Sequence, residues 1–272
     1  MLRAVSILAA DSMEGRQTDT EGSARARRWL LAQLDSIGVA PLGSGYESPF
    51  RFARRSGDSL TGVNLVGMIR GTSTPEQYLI ITAHYDHLGI REGQIYNGAD
   101  DNASGTAAVL ELARRLKATP LSQSVILVLL DAEEMGLRGA LHFVATLPVA
   151  KNAVTLNINL DMVSRSSERT LWVAGTHHFP QFIPAIDSVA AAAPITLKRG
   201  HDSPADGPAN DWTMQSDHGA FYRAGIPFLY FGVEDHPGYH QPSDDFEAIT
   251  PDFFLGAVET IWRVIRRLDQ QR

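Results

Sequence analysis

Tyr78-Leu79-Ile80-Ile81-Thr82-Ala83-His84-Tyr85-Asp86-His87 is the stretch on which the architecture turns. Its first five residues form an apolar, partly β-branched run too short for a helix, so residues 78–82 read as a buried strand. That strand leads directly into histidine and aspartate, both able to bind metal. The arrangement recurs. Residues 125–130 read as a strand that enters Asp131-Ala132-Glu133-Glu134-Met135-Gly136, and 154–160 as one that enters Asp161. Helical periodicity fills the intervals, over 104–117 and 137–146. Further out, an amphipathic helix spans 21–37 with Gly38 as its stop, and a Gly/Ser/Pro-rich connection leads to a strand at 63–69. Downstream come a strand at 170–174, a helix at 182–193, a strand at 227–231 and a closing helix at 251–268. This alternation predicts an α/β fold, a three-layer α/β/α sandwich with a mixed, largely parallel central sheet, in one domain covering 1–272. In such sheets, sites gather at the carboxyl ends of the strands.

Composition narrows the chemistry. At 272 residues, with 44% apolar and 20% charged side chains, the chain can bury a large core and has ordinary globular usage. The net charge of −7 comes without a Lys/Arg run, so nucleic acid and anionic membrane surfaces are not expected partners. The absence of cysteine removes disulfides, thiolate zinc sites and a cysteine nucleophile, so any metal must sit on His, Asp and Glu. No apolar stretch approaches the roughly 20 residues that span a bilayer. The short apolar run at 4–10 stops at Asp11 and reads as a helix of the folded domain, not as a leader. Residues 200–216, rich in Gly, Pro and Asp, read as either an ordered wall of a site or a mobile loop, with the wall favoured.

A single His or Asp at a strand end is ordinarily a cap, but several in one sheet are hard to explain that way. If the chain stays extended beyond His84, Asp86 faces the same side and can accept the second ring N–H of that histidine, fixing its tautomer. His87 would then face elsewhere, in a structural role. Gly98-Ala99-Asp100-Asp101-Asn102-Ala103-Ser104-Gly105 precedes a helix, and capping accounts for one or two of its polar residues but not three in succession. A carboxylate held there could bridge two cations. Of the adjacent Glu133 and Glu134, one can bind metal while the other takes a proton from activated water. Tyr239-His240 adds an imidazole on a loop after the last strand.

With these motifs in this order, the chain resembles the zinc aminopeptidases with a co-catalytic metal pair, a superfamily that includes bacterial leucyl aminopeptidases, glutamate carboxypeptidases and glutaminyl cyclases. The likeness runs over residues 8–268. Its other pieces are Met13-Glu14-Gly15-Arg16, Asn159-Leu160-Asp161-Met162 and Ser216-Asp217-His218 with Arg223-Ala224-Gly225-Ile226-Pro227. The resemblance implies that Asp101 bridges two zinc ions, that His84 and Asp161 complete one site, and that Glu134 and His240 complete the other. It also implies Glu133 as general base, Asp86 beside it in the catalytic set, Tyr239 as an oxyanion donor and a cis bond after Asp101. The expected activity is removal of amino-terminal residues from peptides with a free amino terminus, with glutaminyl cyclisation and carboxypeptidase action as relatives of the same chemistry. A non-catalytic scaffold would have lost ligands that are present here. Of the remaining histidines, His218 with Asp217 is expected to line the pocket, and His177, His178, His201 and His236 to be peripheral. The resemblance further implies an exported protein, periplasmic or secreted, and oligomeric state has no signature in the sequence.

Overall fold

The computed structural model describes residues 1–54 and 57–271. Among the described residues nine strands form one sheet, and the parallel ones at its centre carry the site. These are β4 (Thr74–His84), β7 (Gln123–Leu130), β8 (Val154–Leu160) and β11 (Phe228–Gly232), lying in the order β7-β4-β8-β11. Antiparallel strands flank them. On one side stands β3 (Ser59–Ile69), paired with β1 (Ala40–Pro41) and β2 (Glu47–Ala53), and on the other β9 (Thr170–Ala174), which pairs in parallel with β10 (Thr196–Arg199). A separate hairpin joins β5 (Gly89–Arg91) to β6 (Gln94–Tyr96).

The strands alternate between two cores, as the two-residue period of a pleated sheet requires. Leu79, Ile81, Val125, Leu127 and Leu129 pack under α1 (Leu2–Leu8), α2 (Glu21–Ile37), α3 (Gly105–Ala118), α5 (Ile183–Ala190) and α7 (Pro251–Gln270). Ile80, Ile126, Val128 and Leu130 face the opposite layer of α4 (Arg138–Ala145) and α6 (His218–Arg223). The three-layer architecture with a mixed, centrally parallel sheet is therefore as expected. No helix among the described residues is long and apolar enough to cross a membrane.

Topology places the site. From β4 the chain passes through α3 to β7 on one side, then through α4 to β8 on the other, so β4 lies at a switch point where the strand ends diverge into a crevice. His84 pairs with Leu130, and Thr82 with Asn159, which brings the ends of β4, β7 and β8 to one level. Beneath them runs a buried polar ladder. Asn157 Nδ2 donates to Thr82 Oγ1 at 3.0 Å, Thr82 Oγ1 to Asn159 Oδ1 at 2.6 Å, Asn159 Nδ2 to Ser216 Oγ at 2.9 Å, and Ser216 Oγ to Asp161 Oδ2 at 2.7 Å.

Some elements carry no strong periodic signal. The connection before β3 contains β2, an edge strand that fully buries only Phe50, and β10 buries only Leu197. Neither shows the apolar run that marks a central strand.

Candidate metal centre

The five residues expected as ligands converge around Asp101. His84 Nε2 lies 3.4 Å from Asp101 Oδ1 and 3.3 Å from Asp161 Oδ1. The other oxygen of Asp101 is 3.1 Å from His240 Nε2, which in turn lies 3.3 Å from Glu134 Oε2. Donor atoms around a tetrahedral zinc at its usual bond lengths are separated by roughly 3.3 Å, so these spacings suit a shared carboxylate between two cations.

Asp101 owes its position to backbone anchors. Gly98 has φ +56°, and a Cβ there would sit 2.1 Å from the Asp101 carbonyl oxygen, which excludes any larger residue. The Asp101–Asn102 bond is cis. Asn102 Oδ1 accepts from the N–H of Gly105 at 2.9 Å and of Met162 at 3.3 Å, and its Nδ2 donates to the Leu160 carbonyl at 3.0 Å. Capping of α3 thus explains Asn102 alone. The Asp244 carboxylate accepts from the N–H groups of Asp100 at 3.1 Å and Asp101 at 3.0 Å. Asp100 faces away from the cluster: its Oδ1 accepts from the N–H and hydroxyl of Ser164, both at 2.7 Å, and its Oδ2 lies 3.2 Å from His236 Nε2.

Arg16 is wholly buried and donates to the carbonyls of Leu8, Tyr85, Asn97 and Gly98 at 2.6–2.9 Å. It ties the amino-terminal segment both to the chain leaving β4 and to the turn carrying Asp101. Burial pulls its pKa down to about 10, with Asp101, Asp86, Asp244 and Glu134 opposing. The sequence shows Arg16 only as part of a motif, since carbonyl partners leave no charge pattern to read.

Asp86 departs from expectation. His84 Nδ1 has its nearest partner in the Asp86 carbonyl oxygen at 3.2 Å, while the Asp86 carboxylate is 3.6 Å away. That carboxylate instead accepts from the N–H groups of Glu133 at 3.1 Å and Glu134 at 3.3 Å. It is a positioning residue that holds the backbone of both glutamates.

The glutamates diverge. Glu133 shares a cluster with His84 and Asp161, and Glu134 one with Asp101 and His87. Burial pushes the Glu133 carboxyl well above the usual range, with His84 opposing and Asp217, Asp161 and Glu134 reinforcing. For Asp101, burial raises the pKa, but the imidazoles of His87, His240 and His84 outweigh it and hold the group well below the usual value. Burial opposes the charge on His240, yet Asp101 and Glu134 push its pKa up to about 10. Tyr239, stacked on His240 with centroids 3.9 Å apart, has its hydroxyl raised by burial and by Asp101 and Asp161, so it keeps its proton.

His87 does not face elsewhere: it is buried with Nδ1 2.8 Å from Glu134 Oε1. The strand β4 ends at His84, so strand parity does not fix the direction of His87 beyond it. Asp217 and His218 do not line the cavity; Met162, Trp212, Gln215, Tyr230, Val233 and Asp235 do, around the acidic cluster. Residues 200–216 thus form a wall through Trp212, on which His201 stacks at 3.7 Å and 5°.

His218 lies behind that wall, fully buried, with Nε2 2.8 Å from the Trp212 carbonyl oxygen, and burial pulls its pKa down to about 4. In the unfolded chain a histidine titrates near 6.5, so below that pH the unfolded state takes a proton that the fold refuses. The contribution is fully present above pH ~6.5 and is lost as pH falls towards ~4, about 3 kcal/mol in all. Denaturant unfolding at pH 7.5 and 4.5 should therefore show a smaller acid-induced loss for His218→Gln than for wild type, because glutamine keeps a donor to Trp212 without titrating. Equal losses would show that His218 is not a source of acid sensitivity.

Residues 64–265 match the model of Peptidase family M28. The chain is 31% identical over 202 residues to aminopeptidase YwaD of Bacillus subtilis, a match covering 71% of this chain and 41% of that protein. It spans about half the length of the curated relatives it matches. Among solved structures, the zinc aminopeptidase BSAP from Bacillus subtilis superposes with TM-score 0.62 at 27% identity, over 76% of this chain and 50% of that one. Porphyromonas gingivalis glutaminyl cyclase shares the fold at TM-score 0.76 and 22% identity, over 100% and 99% of the two chains.

Proposed function

Because the chain belongs to peptidase family M28, we propose that it is a zinc-dependent aminopeptidase that uses two metal ions to hydrolyse the first peptide bond of substrates with a free amino terminus. The observation that carries this reading is Asp101, whose two oxygens face His84 on one side and His240 on the other.

The residues fit the metal. Asp101, Asp161, Glu133 and Glu134 are crowded into one buried region whose nearest cationic partners are imidazoles. Buried carboxylates at such density need a strong positive charge. A mixed set of carboxylate oxygens and imidazole nitrogens suits zinc. His84, Asp101 and Asp161 would hold one ion, and Asp101, Glu134 and His240 the other. When bound, the pair supplies positive charge that polarises a scissile carbonyl and eases deprotonation of water.

The protein's own groups do the rest. Glu133 accepts the proton of the attacking water and passes it to the leaving amine, a role suited to a carboxylate held beside His84 and Asp161. Asp86 keeps Glu133 aimed at the reacting side by holding its backbone N–H. Tyr239, which retains its proton, donates to the oxyanion as it develops. Asp235 on the cavity wall adds to an acidic lining that favours the substrate's ammonium group.

The purified protein should carry about two zinc ions per chain when fully active and should cleave a leucyl anilide but not its N-acetyl form. Full activity with one zinc and no uptake of a second would remove the two-metal reading. Equal turnover of the two anilides would point to an endopeptidase or amidase, and release of pyroglutamate from glutaminyl peptides, without anilide cleavage, to a cyclase.

A further inference from the structure

The His87 imidazole is sealed from solvent, with Nδ1 2.8 Å from Glu134 Oε1 and 3.8 Å from Asp101 Oδ2. Donor atoms of these three residues all fall within 4.8 Å of one another. Close as they are, neither ring nitrogen of His87 nor Glu134 Oε1 makes a hydrogen bond of acceptable angle among the described residues. Buried donors and acceptors are rarely left unpaired, because each costs about 1–3 kcal/mol. A buried imidazole nitrogen and a carboxylate oxygen 2.8 Å apart, with no well-angled hydrogen bond to satisfy either, are what two ligands of one cation present. The ring is wedged in this attitude by Gly98, where a Cβ would meet His87 Cγ and Cδ2 at 2.5 Å, and the His240 ring lies beyond it with centroids 6.0 Å apart.

We propose that His87, through Nδ1, is a fourth protein ligand to the metal held by Asp101, Glu134 and His240. The proposal rests on the two-metal reading above and makes the two sites unequal. One has four protein donors, the closed shell typical of structural zinc, and the other has three, the open shell of a reacting site. Glu133 stands with His84 and Asp161, on the three-donor side. The His87 site should fill first and empty last, leaving the His84/Asp161 site as the exchangeable one.

X-ray absorption at the zinc edge, on protein stripped and reloaded, counts imidazoles independently of activity. At one equivalent the wild type should show two imidazoles per zinc, from His87 and His240, and His87→Gln and His87→Phe should show one. Chelator competition on the same samples should show the tighter site weakened by more than about 100-fold, beyond the ~10- to 100-fold typical of losing an outer-shell partner. One imidazole per zinc in the wild type, or an unchanged count in the variants, would overturn the proposal and leave His87 as a neighbour that orients Glu134. The wild-type count decides the matter even if a variant folds poorly. Failure to take up a second equivalent would overturn the two-metal reading instead, while the count at the first equivalent still tests His87.

Discussion

Glu133→Gln is expected to lower kcat by about 10²- to 10⁴-fold, the usual contribution of a general base, while zinc content stays close to that of the wild type. Glutamine keeps the shape of the side chain and removes only the group that accepts the proton. The backbone N–H of residue 133 remains bound to Asp86, and the charges assigned to metal on Asp101, Asp161 and Glu134 are untouched. Glu134→Gln should behave differently, because Glu134 Oε2 lies 3.3 Å from His240 Nε2 within the metal cluster. That variant should lose metal before it loses chemistry. Zinc analysis beside steady-state kinetics separates the two outcomes, and the reverse pattern would mean that the roles of the adjacent glutamates are exchanged.

Asp101→Asn should have the larger effect, with activity falling by more than about 10⁴-fold, beyond what removal of a base alone costs. Asparagine occupies the same space but cannot supply negative charge to both sides at once, so both metals should be weakened together. The fold around it should survive. The turn is anchored by Asp244 on backbone N–H groups, by Asn102 on Gly105, Met162 and Leu160, and by Arg16 on carbonyls, and none of these bonds uses the Asp101 side chain. Metal analysis with circular dichroism provides the check. A well-folded variant that still held two zinc ions and most of its activity would rule out a bridging role for Asp101.

Much of this site is legible in the sequence because each expected ligand hangs on the end of a recognisable element. Residues 154–160, 170–174 and 21–37 match β8, β9 and α2 residue for residue, since apolar period and length decide between strand and helix locally. His84, Glu134 and Asp161 then follow at the carboxyl ends of parallel strands, and the order of the motifs supplies Asp101 and His240. Period and order need only neighbouring residues.

Contacts between distant segments are a different matter, and there the tertiary structure alone decides. Parity along an extended strand turns His87 away from the site, but β4 ends at His84, and His87 lies against Glu134. The pairing of Thr82 with Asn159 aligns the buried ladder that ends on Asp161, and the ladder reaches there only through Ser216, 55 residues downstream. Ser216 and Asp217 are adjacent, yet the first bonds to Asp161 while the second is absent from the cavity lining. Arg16 lies 82 residues from Gly98 and meets it through a carbonyl oxygen that every residue possesses. The sequence by itself therefore determined the elements, the architecture and the chemistry gathered at the strand ends, all of which follow from local period and residue type. Sheet register and contacts between segments tens of residues apart decided which of several neighbouring histidines and carboxylates face that chemistry.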